Sequence, residues 1–418
     1  MVITALALTA ACKQGAQPTE KEPTPLKERF NGKFYIGVAI NEAQITGADS
    51  LGQATVLKHF NSIVAENCMK NEEIHPEQNR YNFAVPDKFV ELGEKNGMFI
   101  IGHCLVWHSQ VAPWFFVDNN GTQVSADTLK QRIKDHIYTV VGRYKGRVKG
   151  WDVVNEAILD DGSYRNSPLY QIMGEEFIPW AFQCAHEADP DAELYYNDYS
   201  MSLAPKADAI VNLVKSLKAK GLRIDGVGMQ THVGMDYPDI NEYETSMMKF
   251  ASTGVNVMVT EWDMSALPTM SSSSNIGDTL RIGTIVSKAL DKGLLSGDPA
   301  NVSFDKIKVA PVEDFKAKFA GEYPDSVITR MHFMLSQLSP YPVALPDSIS
   351  IIWNQRMDMF LKLFEKHSDV ITRVTAWGVC DGDSWKNDFP VKGRHEYPLL
   401  FDRDYNLKPF LQNCDEKK

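Results

Sequence analysis

The sequence predicts an α/β chain closed as a (β/α)8 barrel of the TIM type, with a subdomain inserted between its seventh strand and seventh helix. Three observations carry this. Eight short apolar runs alternate with helical patterns, the strand ends are spaced as barrel units require, and the residues capable of chemistry gather where the runs end. A chain of 418 residues, 44% hydrophobic and 23% charged, suffices for one such barrel or for two to three average domains, so length alone does not choose.

The first element is an almost wholly apolar run, residues 2–11, ending in Leu8-Thr9-Ala10-Ala11-Cys12 and followed by a Pro/Glu/Lys/Thr-rich stretch to Lys27. It resembles a bacterial lipoprotein signal, in which the cysteine is lipidated and becomes the mature N-terminus. On that reading residues 1–12 are the signal and 13–30 a flexible tether, ahead of a catalytic barrel over 31–412. No basic residue precedes the run, and Thr9 stands where leucine is usual, so an unmodified polar tail is the competing reading. No run reaches the roughly 18 apolar residues of a membrane-spanning helix.

The eight strands are expected at 35–40, 62–67, 99–107, 148–156, 193–198, 226–232, 255–261 and 371–379. Between the third and fourth, Leu129, Ile133, Ile137 and Val141 recur every four residues behind a Ser125 cap, as on a helix laid against a sheet. Trp353, Met357, Phe360, Leu361 and Phe364 do the same before the last strand. Glu156 and Glu261 are 105 residues apart, or 35 for each of three units, against about 31 in a minimal barrel. Glu261 to Trp377 takes 116 residues in one unit, which places an insertion at 265–336. It opens on Ser271-Ser272-Ser273-Ser274 and contains helix-forming stretches at 282–294 and 311–320. Loops at that end of a barrel flank the active site. A structural cap, a protein contact and a second polysaccharide contact all remain open for it.

The charge balance of 54 acidic against 43 basic residues, net −11, argues against a nucleic-acid partner. Six cysteines without CxxC or Cys/His spacing suggest neither a disulfide framework nor a metal site, and read mostly as buried free thiols.

Chemistry concentrates in Trp151-Asp152-Val153-Val154-Asn155-Glu156 and Val259-Thr260-Glu261-Trp262-Asp263, each of which brings an apolar run to a glutamate. A carboxylate at the mouth of a buried strand has no packing reason to be there. Retaining glycoside cleavage needs two carboxyls about 5–5.5 Å apart, one to protonate the leaving oxygen and one to attack the anomeric carbon. A sugar ring further demands flat aromatics for its C–H faces and amides, imidazoles, a lysine or a carboxylate for its hydroxyls. Glu66, Asn67 and Lys70 after the second strand, His103 and Trp107 on the third, Gln230 on the sixth, and Trp377 and Trp385 after the eighth supply that set.

With His103-Cys104-Leu105-Val106-Trp107-His108 and Gly228-Met229-Gln230-Thr231-His232 added, the chain closely resembles glycoside hydrolase family 10, the endo-β-1,4-xylanases, from about Phe34 to Pro409 apart from the insertion. The resemblance implies a retaining hydrolase of xylan and xylo-oligosaccharides that needs no metal or organic cofactor. It makes Glu156 the acid/base and Glu261 the nucleophile, a charge on Glu261 keeping the proton on Glu156. Asn155 then binds the sugar 2-hydroxyl, His232 and Asp263 orient Glu261, and Glu66, Asn67 and Lys70 hold the sugar two places toward the non-reducing end. Tyr199, in Asn197-Asp198-Tyr199, is a candidate for the leaving-group side. Asn71, Cys104 and Trp262 depart from the usual pattern, and Asn71 and Trp262 bear on the shape of the glycone subsites. A monomer is expected, exported as an envelope lipoprotein facing the periplasm or the cell surface and anchored through Cys12, or otherwise secreted. Activity on β-1,4-glucans or aryl glycosides is one alternative. An inactive glycan-binding barrel is another, whose mark would be loss of either glutamate.

Overall fold

The computed structural model describes residues 23–267, 282–296, 308–338, 340–341, 343–389 and 394–412. The expected signal with Cys12, part of the tether and the serine run at 271–274 lie outside the described residues. Strands β1 (Tyr35–Ile40), β2 (Ser62–Ala65), β3 (Phe99–Val106), β4 (Gly150–Asn155), β5 (Glu193–Asp198), β6 (Gly226–Met229), β7 (Asn256–Ser265) and β8 (Ile371–Ala376) are all parallel. They pair in sequence order, and β8 bonds both β1 and β7, closing the barrel.

The strands bury most residues on both faces, as their largely apolar character requires. Ala39, Val64, Ile101, Tyr195, Met258 and Trp377 form one cluster, and the alternate residues, such as Ile36, Val38, Ile63 and Val257, join the larger core with the helices. The helix Ala126–Arg143 is capped by Ser125, whose hydroxyl accepts from the Thr128 amide. The helix Asp347–Lys366 buries Trp353, Met357, Phe360, Leu361 and Phe364. Among the described residues no helix is long and apolar enough to cross a membrane.

Two strand boundaries differ from expectation in a way that matters for the site. The sixth strand stops at Met229, because Thr231 takes a left-handed backbone (φ 64°), and the chain resumes as His232–Gly234 beside Asp263–Ser265. That added pairing carries β7 four residues past Glu261, so Glu261 lies within its strand rather than at its end.

The inserted region holds the helices Ile282–Asp291, Val312–Phe319 and Asp325–Ser336 and a two-stranded pairing of Leu295–Ser296 with Lys308–Val309. The last helix was not expected. Ile285, Phe315, Phe319, Ile328, Met331, Leu335 and Leu338 bury one another in a core separate from the barrel's. Two side chains of the loop after β8 join it to the barrel: the Arg394 Nε donates to the Leu338 carbonyl at 2.7 Å, and the Tyr397 hydroxyl donates to the Tyr341 carbonyl at 2.5 Å.

Candidate active site

At the carboxyl ends of the strands lies a cleft of about 1280 Å³. Glu66, Asn67, Lys70, His103, Trp107, Asn155, Glu156, Tyr199, Gln230, His232, Glu261, Trp377 and Trp385 all line it. Of the side chains singled out for chemistry or sugar binding, only Asp263 stands behind that surface, fully buried.

Glu261 and Asp263 are two residues apart on β7, so strand alternation turns both toward the same neighbour. That neighbour is His232. Its Nε2 is 3.0 Å from Glu261 Oε2 and its Nδ1 is 2.9 Å from Asp263 Oδ2. Burial alone would discharge the imidazole, yet the two carboxylates outweigh it and push His232 from 6.5 up to about 9. The histidine therefore carries a proton at neutral pH. Burial likewise opposes charge on Glu261, but the imidazolium, His103 and an amide from Asn197 hold its carboxyl below the ordinary 4.5. Asp263 is held low against its own burial by His232, by Lys386 at 3.4 Å and by the Trp385 indole, which donates at 2.9 Å.

Glu156 is held differently. Its Oε2 accepts the Trp107 indole N–H at 2.9 Å, and its Oε1 accepts the Gln230 amide at 3.0 Å and, at 3.4 Å, that of Asn155. Its backbone is left-handed (φ 57°), with its N–H donating to the Asn197 carbonyl and its own carbonyl accepting the Arg165 Nε at 2.8 Å. Between the glutamates, Asn197 Nδ2 donates both to Asn155 Oδ1 at 3.0 Å and to Glu261 Oε1 at 2.7 Å, while Thr260 donates to Asn197 Oδ1. Gly228 on β6 leaves the room for this amide, since a Cβ there would lie 2.4 Å from Asn197 Oδ1.

Also lining the cleft, Lys70 Nζ donates to Asn67 Oδ1 and Gln110 Oε1, each at 2.8 Å, and lies over the Trp107 ring. Burial raises Glu66 to about 6 despite Lys70. His103 pairs with Asp152 at 2.9 Å and meets the Trp377 ring edge-on. Tyr199 receives a hydrogen bond from Arg165 at 2.6 Å and has the Lys206 ammonium 3.9 Å above its ring.

The departures at Asn71 and Trp262 do not shape the cleft as expected. The Trp262 ring is buried against Phe364 and Phe410, on the helix side of β7. Asn71 accepts from the Ala112 amide and serves the loop after β3. Sequence reasoning missed Asn197, although a buried strand ending in Asn197-Asp198 was a signal. It also missed Gln110 and Arg165, which sit in irregular loops without any period to mark them.

A sequence model of glycosyl hydrolase family 10 matches residues 25–292 and 347–416, leaving out 293–346, which overlaps the expected insertion at 265–336 and runs ten residues past it. The endo-1,4-beta-xylanase A of Xylanibacter ruminicola is 42% identical over 397 residues, covering 95% of this chain and 94% of that protein. The solved structure of an endoxylanase of the same family from a sugarcane soil metagenome superimposes with a TM-score of 0.75 at 37% identity, over 93% of this chain and 97% of its own. A second solved structure, of a mutant in complex with xylotriose, gives 0.72 at 29% identity over 93% and 98%.

Proposed function

Because this chain belongs to glycosyl hydrolase family 10, and is thus a glycoside hydrolase, we propose that it is an endo-β-1,4-xylanase that cleaves internal xylosidic bonds by a retaining double displacement. The observation that carries the reading is the asymmetry between two glutamates in one cleft. Glu261 is paired with an imidazolium that favours its charge, while the Glu156 carboxyl accepts from the neutral Trp107 indole and Gln230 amide and faces the open cleft. The first is equipped as a nucleophile and the second as a proton donor.

In the first step a Glu261 oxygen forms a bond to the anomeric carbon. The glycosidic bond breaks, its electron pair goes to the leaving oxygen, and Glu156 gives that oxygen its proton. Glu156 then takes a proton from water, whose oxygen attacks the anomeric carbon and releases Glu261. The Asn155 amide stands beside Glu156 to bond the sugar 2-hydroxyl, where an interaction that tightens in the transition state is worth most. On this reading Lys70, Asn67 and Glu66 serve the glycone side and Tyr199 the leaving-group side of the cleft that all four line. The substrates are xylan and xylo-oligosaccharides. The protein is exported and held to the cell envelope through a lipidated Cys12.

Proton NMR during early hydrolysis of xylohexaose tests the stereochemistry: the β-anomer is expected first, and the α-anomer would overturn the retaining assignment. Comparing the products from xylan with those from cellulose tests the substrate, and equal or faster release from cellulose would move the assignment to glucans.

A further inference from the structure

Phe389 is 43% exposed and lines the cleft, and among the described residues no other strongly exposed large hydrophobic side chain does. Single exposed apolar residues are ordinary on a protein surface. This one differs in how it is held. Its carbonyl accepts the Arg394 Nη1 at 3.0 Å, and Arg394 is itself buried, with its Nε on the Leu338 carbonyl of the inserted region. Glu396, fully buried, continues the tie by accepting the amides of Ala266 and Leu267, where the chain leaves β7. The ring itself sits against Trp385, centroids 5.2 Å apart and planes tilted by 38°, so it extends the aromatic surface that begins over His232.

A tilted, partly open aromatic beside a tryptophan in a polar cleft presents the face that a sugar's C–H groups cover. Resting on the xylanase reading above, we propose that Phe389 is a specificity-determining residue that contacts a substrate sugar beyond the two rings that an aryl xylobioside supplies, in a position set by the inserted region through Arg394. The ring takes the C–H face of a pentose. That pentose is either a further xylosyl unit of the main chain or a side-chain substituent on it.

The test compares wild type, Phe389→Ala and Phe389→Trp on aryl β-xylobioside, unbranched xylohexaose and an arabinose-substituted xylo-oligosaccharide. Loss of the stacking contact should lower kcat/KM of the alanine variant by about 3- to 10-fold, chiefly through KM, with the aryl xylobioside unchanged and the tryptophan variant close to wild type. A loss on xylohexaose assigns a main-chain ring, and a loss confined to the branched substrate assigns the substituent. An equal loss on all three substrates would make Phe389 a mere support for Trp385 and overturn the proposal, as would no loss on either oligosaccharide. Wild type unable to cleave any xylo-oligosaccharide would overturn the xylanase reading and this proposal together.

Discussion

Replacing His232 with glutamine should move the acid limb of activity, because the imidazolium is what lets Glu261 stay charged while buried. In the native protein His232 binds its proton more tightly than a free histidine, at about 9 against 6.5. The folded state therefore holds a proton that the unfolded chain has lost between those values. This contributes about 3 kcal/mol of stability below pH 6.5, and it is lost as pH rises through 9. Glu261 and Asp263, held below their ordinary values, contribute in the opposite sense: their share is present above about pH 4 and lost as pH falls further. Glutamine fills similar space without the charge, so one neutral amide replaces the imidazolium between the two carboxylates, with Asn197 still on Glu261 and Lys386 and Trp385 on Asp263. Breaking a buried pair in this way costs about 3–5 kcal/mol, which the protein reduces by protonating one carboxylate. Aryl xylobiosides with good leaving groups are the right substrates, since they need little help from Glu156 and their acid limb reports the nucleophile. The acid limb of kcat/KM, below pH 4.5 in wild type, should rise above it in His232→Gln, and kcat at neutral pH should fall by about 10-fold or more. A folded variant whose acid limb stays in place would refute the assignment of His232 as the group that keeps Glu261 ionised.

Three further outcomes are expected. Asn197→Ala, or Gly228→Ala crowding the same amide, should lower kcat more than it raises KM, because the amide holds Glu261 and Asn155 in place; a pure KM effect in kinetics would contradict this. Mass spectrometry of the natively expressed protein should find Cys12 as a lipidated N-terminus, and an unmodified N-terminus upstream of it would sink that proposal. Exchanging residues 282–338 for a short Gly/Ser loop should leave short unbranched xylo-oligosaccharides turned over while changing activity on decorated xylan; loss on short substrates as complete as in Glu261→Gln would mean that the region supplies something to the chemistry.

The barrel was legible because each strand is largely buried on both sides and so leaves a short, mostly apolar run, and β1 and β5 fall where their runs do. What the runs do not carry is pairing beyond them. His232–Gly234 joins β7 only because Thr231 turns the chain back, and no local pattern announces a left-handed threonine. The site residues on strands, such as Asn155, Gln230 and Glu261, interrupt an apolar period and can be found by that interruption. Arg165 and Arg394 reach the site from loops with backbone carbonyls among their partners, and a carbonyl leaves no trace in a sequence. The helix Asp325–Ser336 was missed although Ile328, Met331, Met334 and Leu335 recur at helical spacing, because the β-branched start Val327-Ile328-Thr329 reads against a helix.

Glu261 is expected to form a covalent bond to the sugar, and that bond can be trapped. A 2-deoxy-2-fluoro-β-xylobioside with a good leaving group slows the second displacement more than the first, so the glycosyl-enzyme accumulates. Peptide mass spectrometry should then find one fluoroxylobiosyl group, on Glu261. An enzyme that hydrolyses xylan yet stays unlabelled there, or carries the label on Glu156, would contradict it.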